Sequence, residues 1–590
     1  MKHLFVVLAS LCVAVSSRNA VADDIGAHVP YTRYEAEAGS LVGKPLPIGP
    51  NRNFGDLGGE ASGRRAVKLE NAGNGIEWVA TGAANSIVVR YCIPDSEDGA
   101  GQSATLSLYV NGVKKEALDL TSKYAWLYGP EADPKNVPAL GSPRHIYDEA
   151  HKLLSFTLNK GDHIKLQKDA GDTASYYGID FVELEMVAPP LPCPPNLLNI
   201  ADEGIAPENF SDRIGPLIQK FENPQGYKGK KGIYIPSGRY PMSGQAIIGQ
   251  GIMPGFEIRG AGMWYTQIYN DSDAEAGWGL FGFNLNGQSA TFSDLALFGG
   301  GRTRDGAGKP FVNSYGDGTT LKRIWIEHMT CGFWVGGSQG VTNHLTIDSC
   351  RLRNLGADGI NLCNGTKNST IINTTVRSSG DDGIAIWSAP EMDGAVAGTD
   401  YVGCANNVIK NCTVELPWRA SAFAIYGGKD NTITRCLARD TLTYAGVNIS
   451  SGFKPRPFEG TTLVEDVLLE RCGGTFWSGQ QFGALWLMAD DSPLSGITVK
   501  NVSVVDASYA GLLLQSETYN KLAHSLTANF DNVTVANSGT YGLEVRNAKG
   551  KVNFTNTHLS AVTTESLLKG NTKVGNSSLE INVDKASSGF

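Results

Sequence analysis

Two short segments of the chain carry three aspartates among nearly the same neighbours. Gly356-Ala-Asp-Gly-Ile-Asn-Leu contains Asp358, and Gly380-Asp-Asp-Gly-Ile-Ala-Ile contains Asp381 and Asp382. Aligning the two Asp-Gly pairs sets Asp358 against Asp382, with Asp381 beside them. Burying an unpaired charge is costly, so packing alone gives no reason for three acids at the start of apolar strands.

Carboxylates crowded in this way repel one another, and at least one of them should have a raised pKa. A protonated acid beside ionised carboxylates is what hydrolysis of a glycosidic bond requires. Clustered aspartates can also bind calcium, and Asp-Gly pairs also form ordinary turns. The grouping of three acids in two matched segments favours hydrolysis over both alternatives.

The two segments belong to a longer internal repeat. Stacked coils about 4.8 Å apart align equivalent residues in columns, so the cysteines of the repeat are predicted to be buried. The pattern predicts a right-handed parallel β-helix over residues 199–590, because the amphipathic helices of a βαβ fold are missing. A small residue before an apolar strand recurs, at a minimum spacing of 24, at Gly332, Gly359, Gly383, Ala422, Gly446, Gly483, Gly511 and Gly542. One position of a second strand holds Cys350, Thr374, Cys412, Cys436, Cys472 and Val502 in turn.

The first part of the chain has a different pattern. Residues 23–188 contain short alternating apolar and polar segments separated by turn residues, which predicts a jelly-roll-like β-sandwich. A proline-rich linker over 189–198 follows and marks a domain boundary. The expected fold class is therefore all-β, with a sandwich followed by a β-helix.

The first 22 residues have the features of a secretory signal. Lys2 precedes an apolar run, and Ala20-Val-Ala gives the small-residue pattern for cleavage near Ala22. No later segment is long and apolar enough to predict a membrane span. We therefore expect a secreted, extracellular protein without a membrane partner. Nine of the ten cysteines follow residue 22, and this odd number excludes complete disulfide pairing.

The formal net charge of −9 indicates which kinds of polymer the protein could bind. An acidic surface argues against nucleic acid and against a polyanionic polysaccharide. A neutral polysaccharide suits it better.

Several motifs together resemble glycoside hydrolase family 87. The motif GADGI…GDDGIAIW carries the resemblance, as do Arg259-Gly-Ala-Gly-Met-Trp-Tyr-Thr and Ala424-Ile-Tyr-Gly-Gly-Lys-Asp-Asn. That family contains α-1,3-glucanases (mutanases) and mycodextranases, and it joins a β-sandwich to a β-helix. Polygalacturonases of the wider clan have a similar aspartate trio together with Gly-His-Gly and Arg-x-Lys. Neither motif occurs after Asp382, which argues for a neutral α-glucan over pectin.

The resemblance implies an endo-acting, inverting α-1,3-glucanase that works as a monomer and needs no cofactor for catalysis. It implies that Asp381 is the general acid and that Asp358 and Asp382 activate water. Inversion would place the acid and base carboxyl groups roughly 6.5–9.5 Å apart. Sugar subsites need aromatic faces and a few polar groups. The predicted substrate-binding residues are Trp387, Tyr426, Trp418 and Lys429.

The sandwich resembles carbohydrate-binding modules of families 6 and 35. Glu35, Glu37 and Asp180 match acids that hold a structural calcium ion in those families, and hard oxygen ligands suit calcium. The alternative is that these are strand-edge carboxylates that bind nothing.

Three other functions remain as alternatives. The protein could be a mycodextranase acting on nigeran, or another β-helix α-glucanase. It could be a polysaccharide lyase, although the acidic chain argues against the acidic sugar that a lyase needs. It could also be a polysaccharide-binding protein without catalysis.

Overall fold

The computed structural model describes residues 25–275, 279–337, 340–389, 403–516, 524–560 and 577–590. The predicted signal peptide at residues 1–22 lies outside these residues. Over the described ranges, no helix has the length and apolar character to cross a membrane.

The first domain consists of two antiparallel sheets packed around an apolar core. This arrangement confirms the predicted β-sandwich. The first sheet contains Tyr31–Glu35, Leu46–Ile48, Ala66–Leu69, Ala84–Cys92, Asp148–Leu158 and Tyr177–Glu185. The second contains Ser40–Val42, Gly75–Val79, Ser103–Val110, Val113–Thr121 and His163–Gln167. A small ribbon pairs Leu127–Tyr128 with Pro143–His145. Short 3₁₀ turns lie at Ala36–Ala38, Ser62–Arg64 and Pro138–Leu140.

The second domain is a parallel β-helix, as the repeat predicted. Its first turns are capped by 3₁₀ turns at Ile200–Glu203 and Pro207–Asn209 and by an α-helix at Phe210–Gln219. One long sheet contains Leu198–Asn199, Gly232–Ile235, Gly238–Pro241, Glu257–Gly260, Thr266–Tyr269, Thr291–Phe298, Thr320–Glu327, Thr346–Asp348, Arg351–Arg353, Thr370–Ile372, Thr375–Arg377, Val408–Lys410, Thr413–Glu415, Thr432–Thr434, Leu437–Arg439, Thr462–Glu470, Leu494–Val505, Ser525–Ala536, Lys549–Thr555, His558–Ser560 and Ser578–Val583.

A second parallel sheet carries the aspartate segments. Its strands are Phe333–Val335, Ile360–Leu362, Ile384–Trp387, Phe423–Tyr426, Val447–Ser450, Leu485–Ala489, Leu512–Ser516 and Leu543–Arg546. Earlier coils contribute a three-stranded sheet of Gly244–Ile247, Phe281–Asn284 and Phe311–Val312. Two short ribbons pair Gly428–Lys429 with Phe458–Glu459, and Thr475–Phe476 with Gln480–Gln481.

The predicted cysteine column lies inside the β-helix. Cys350, Cys412, Cys436 and Cys472 are all buried, and none of the nine cysteines in the described residues is in a disulfide. Burial raises the pKa of the Cys436 thiol well above its usual value. These thiols act as small apolar core residues, as the repeat predicted.

The glycines after the aspartates are required by the stacking of the coils. A Cβ atom on Gly359 would lie 2.3 Å from the carbonyl oxygen of Gly383, and one on Gly383 would lie 2.3 Å from Val414 Cγ1. Only glycine allows this close approach. The strands that follow pair with Ile360 opposite Ile384, so Asp358 and Asp382 occupy equivalent positions on adjacent coils.

A layer of buried charged side chains joins the two domains. Glu149 and Glu183, on the first sandwich sheet, face Arg353 and Arg377 of the β-helix. Arg377 Nη2 donates to Glu183 Oε1 at 3.0 Å, and Arg377 Nη1 lies 3.3 Å from Glu149 Oε1. All four side chains are at most 3% exposed. The domains therefore share a charged interior.

Candidate active site

The three aspartates meet in a cleft on the outside of the second parallel sheet. One carboxylate oxygen of each lies within 4.8 Å of an oxygen of the other two. The cleft has a volume of about 440 Å³. Besides the aspartates, its lining comprises Arg304, Asp305, Lys309, Thr330, Cys331, Trp334, Ala357, Asn361, Trp387, Arg419, Ala420, Tyr426, Tyr444, Phe453 and Trp477.

Asp382 is buried and fixed by two hydrogen-bond donors. The Ser421 backbone N–H donates to Oδ1 at 2.9 Å, and the Tyr426 hydroxyl donates to Oδ2 at 2.8 Å. Burial, followed by repulsion from Asp381, raises the pKa of Asp382 to about 7. The Tyr426 hydroxyl acts in the opposite direction, because its hydrogen bond stabilises the ionised carboxylate.

Asp358 is also buried, on the preceding coil. Its pKa is raised well above the ordinary value, first by burial and then by the charges of Asp381 and Asp382. The expectation that crowding raises the pKa of at least one aspartate is thus met by both buried members of the trio.

Asp381 differs from its two neighbours, because its side chain is 30% exposed and two arginines contact it. Arg304 Nη2 and Arg419 Nη1 both donate to its Oδ2, the latter at 2.7 Å. Two guanidinium groups beside the trio oppose the binding of a metal cation there. This arrangement favours hydrolytic chemistry over the calcium interpretation of the trio.

Sequence reasoning did not identify either arginine. Arg304 lies in a loop of an earlier coil, and Arg419 lies in a loop of the following coil. Loop residues do not follow the repeat, so no spacing links them to Asp381. A basic residue was to be expected near three acids, but the sequence could not say which.

Aromatic side chains stand on both sides of the aspartates. Trp334, on the coil before Asp358, forms an edge-to-face pair with Trp387, on the coil of Asp381 and Asp382, with ring centroids 6.4 Å apart. Beyond Asp382, Phe453 and Trp477 are 64% and 37% exposed, which is unusual for such large apolar side chains. Exposed aromatic faces suit stacking against sugar rings.

The predicted substrate-binding residues divide into two groups. Trp387 and Tyr426 line the cleft, as expected. Trp418 and Lys429 are not among the residues that line it. Trp418 lies buried behind the cleft, where it stacks on His145 of the sandwich at 5.4 Å and presses against Gly380. Lys429 follows a turn that ends the Tyr426 strand, and it is exposed outside the cleft.

Two of the three acids predicted to hold calcium, Glu35 and Asp180, meet at the Ser62 side chain in the sandwich. Asp180 pairs with the Arg90 guanidinium and accepts two hydrogen bonds from Ser62. Glu35 Oε2 competes with Asp180 for the single hydrogen of the Ser62 hydroxyl, which lies 2.5 Å away, and burial with repulsion from Asp180 raises the pKa of Glu35 to about 7. Glu37 does not join them in a three-carboxylate group. Arg90 thus neutralises Asp180, whereas the buried Oε2 of Glu37 has no hydrogen-bond partner among the described residues, and calcium binding by these acids stays a prediction.

Comparisons with known proteins assign both domains. The family model described as alpha-1,3-glucanase catalytic domain D1 matches residues 28–187, and the model for domain D2 matches residues 212–586. No curated protein sequence matches significantly.

Solved structures agree with the family models. A GH87 alpha-1,3-glucanase catalytic domain in complex with nigerose is 30% identical, with 95% of this chain and 100% of that chain covered and a TM-score of 0.81. An aspartate-to-alanine variant of a GH87 alpha-1,3-glucanase catalytic domain, in complex with tetrasaccharides, is 29% identical (96% and 100% covered, TM-score 0.82). The catalytic unit of a thermostable GH87 alpha-1,3-glucanase from Streptomyces thermodiastaticus strain HF3-3 is 26% identical (96% and 97% covered, TM-score 0.79).

Proposed function

This chain belongs to glycoside hydrolase family 87 and hydrolyses α-1,3-glucan, and from this membership we propose that it is a secreted, endo-acting and inverting enzyme whose catalytic residues are Asp358, Asp381 and Asp382. The observation that carries the proposal is the convergence of these three carboxylates, two of them buried with raised pKa values, in a cleft with aromatic walls.

The solved relatives support this choice of residues. Four of the similar structures carry single aspartate-to-alanine substitutions at three positions, of which the first two are 23 residues apart and the third is adjacent to the second. Asp358, Asp381 and Asp382 have the same spacing. Those variants were solved with nigerose or tetrasaccharides bound, as expected of catalytic residues that are not needed for binding.

In the proposed mechanism, Asp381 protonates the leaving glycosidic oxygen. It is the aspartate most exposed to the cleft, and its Oδ1 makes no hydrogen bond to any described residue. Asp358 and Asp382 hold and deprotonate the attacking water. One proton shared among the three leaves two negative charges, which Arg304 and Arg419 balance.

The carboxyl groups are closer than the resemblance implied. Oxygens within 4.8 Å fall short of the roughly 6.5–9.5 Å usual for inverting enzymes, so spacing alone does not support inversion. The support comes instead from Asp382, both of whose oxygens are already engaged by Ser421 and Tyr426. A carboxylate held in this way keeps a lone pair that can accept a proton from water, whereas a bond from one of its oxygens to the sugar would weaken the hydrogen bond to that oxygen.

The shape of the cleft supports endo action on a neutral glucan. Aromatic side chains occur on coils before and after the aspartates, so a polymer can extend in both directions from the cleavage point. Secretion rests on the signal pattern at residues 1–22.

The test is incubation of the mature protein with insoluble α-1,3-glucan, nigeran, dextran and polygalacturonate, with measurement of new reducing ends. We expect release from α-1,3-glucan and a product series of several lengths at early times. Proton NMR of the first products should show the β-anomer, because inversion at an α-linkage gives β. Preferential cleavage of nigeran would make the protein a mycodextranase, a monomeric product alone would exclude endo action, and an initial α-anomer would exclude inversion.

The pH dependence of kcat/KM should follow the ionisation of Asp382, the buried proposed base. Asp382 can accept a proton only when ionised, and its pKa of about 7 means that it ionises as the pH rises through about 7. The acidic limb of kcat/KM should therefore lie near pH 7. The substitution Tyr426→Phe removes a hydrogen bond that lowers this pKa, so the limb should move to higher pH. A pH–rate profile for each variant measures this.

The matched control is Tyr444→Phe, which alters a cleft tyrosine that does not bond to Asp382. Its limb should stay where the unmodified protein has it. A limb that does not move in Tyr426→Phe would show that Asp382 is not the group titrating there.

A further inference from the structure

The loop that carries Arg304 is fastened to the sandwich domain. Two residues before Arg304, the Arg302 guanidinium donates to two backbone carbonyls of the sandwich. Its Nε donates to the Lys123 oxygen at 3.0 Å, and its Nη2 donates to the Gly99 oxygen. The Arg302 side chain is only 15% exposed and is not among the residues that line the cleft. It therefore connects the sandwich to the loop without being part of the cleft.

The same loop is pressed onto the coil that carries Asp358. A Cβ atom on Gly356 would lie 2.4 Å from the Arg304 oxygen and 2.8 Å from the Thr303 oxygen. On the other side of the loop, the Gly301 N–H donates to the His328 oxygen at 2.8 Å. The backbone between Arg302 and Arg304 thus lies between the sandwich and the catalytic coil, with little room to shift.

Arg302 depends on the fork geometry of the guanidinium group, because two of its nitrogens donate to different carbonyls at once. The ammonium group of a lysine, on its flexible side chain, would do this less well. Arg304 then donates to Asp381 Oδ2. Even a small shift of the loop would therefore break the hydrogen bond between the Arg304 guanidinium and Asp381.

We propose that Arg302 is a positioning residue, which uses the sandwich backbone to hold Arg304 against Asp381. The proposal rests on the proposed catalytic role of Asp381. It gives the sandwich a part in the reaction that differs from binding carbohydrate: two of its carbonyl groups fix one cation of the active site. The side chain of Arg302 acts through Arg304 and does not touch the sugar.

The test is a double-mutant cycle on α-1,3-glucan hydrolysis. Arg302→Met should lower kcat by about 10-fold or more, since misplacement by about 1 Å can cost 100-fold, and should change KM less. Arg302→Lys should recover part of the loss. If Arg302 acts only through Arg304, the double variant Arg302→Met/Arg304→Met should have the same kcat as Arg304→Met alone.

The matched control is Arg213→Met. Arg213 also donates to two backbone carbonyls, those of Gly204 and Glu203 at 2.6 and 2.7 Å, but in the cap of the β-helix. Arg302→Met and Arg213→Met should lower the unfolding midpoint by similar small amounts, and only the former should lower kcat.

Two results would overturn the proposal: an unchanged kcat in Arg302→Met, or a double variant in which the two losses simply multiply. The failure of the proposed function gives a different result. In that case Asp381→Asn would keep its activity on glucan, whatever Arg302→Met does.

Discussion

Asp381→Asn is expected to lower the hydrolysis of α-1,3-glucan by about 100- to 10,000-fold, the range typical of a lost general acid. Asparagine keeps the shape of the side chain but carries no transferable proton. The same variant should keep most of its turnover of α-nigerosyl fluoride, because fluoride leaves without protonation. Reducing-end release and fluoride release measure the two activities.

Asp358→Asn and Asp382→Asn should behave differently. In the proposed mechanism both carboxylates activate water, which must attack whichever leaving group is present, so the activities on both substrates should be lost together. Asp348→Asn is a suitable control, because Asp348 lies on a neighbouring strand and pairs with Lys322 outside the cleft.

The raised pKa of Asp358 makes this residue the competing candidate for the general acid. In the free protein, burial favours a proton on Asp358, while two guanidinium groups contact Asp381. If Asp358→Asn rather than Asp381→Asn retains fluoride release, then Asp358 is the acid and the roles must be exchanged. Loss of fluoride release in all three variants would show that the activated substrate does not separate the roles.

Arg377→Met is expected to lower the free energy of unfolding by about 3–5 kcal/mol, the usual cost of removing one partner from a buried ion pair. Arg377 is the only cation in contact distance of both Glu149 and Glu183 among the described residues. Burial already raises the pKa of Glu149, and Arg377 is the largest influence that lowers it. Without Arg377, Glu149 would lose its largest compensation, and Glu183 would keep Arg33, at 2.8 Å, as its countercharge.

Urea unfolding followed by tryptophan fluorescence measures this effect. Lys551→Met is the control, because Lys551 and Glu580 form a pair in which both side chains are more than half exposed, and such pairs contribute little. Equal midpoints for Arg377→Met and Lys551→Met would mean that water enters the interface and that the charged layer does not hold the domains together.

The fold could be predicted largely because coil stacking imposes a period on the sequence. Every coil must place small residues where backbones approach and apolar residues inside, and this period is sufficient to align Asp358 with Asp382. Side chains on loops follow no such period. Arg304 and Arg419 were missed for that reason, and Trp418 was assigned to the cleft although it packs against the sandwich.

A related point concerns the acids predicted to hold calcium. The acids of the sandwich matched a family pattern, but the charge that neutralises Asp180 comes from Arg90, on a different strand. Short sequence motifs show acids and do not show which distant residue faces them. A countercharge contributed through strand pairing becomes visible only when the sheet is assembled.

The stacking of the coils also fixes the distance between the aspartates on adjacent coils. Asp358 and Asp382 are separated by one coil of minimal length. Their spacing is set by backbone hydrogen bonds between adjacent coils, such as the 3.0 Å bond from the Gly359 N–H to the backbone carbonyl oxygen of Asp382. The loops that carry Arg304, Phe453 and Trp477 are not part of the stacked strands. Changes in these loops can therefore alter the contacts offered to a glucan without changing the distance between Asp358 and Asp382, which the coil spacing determines.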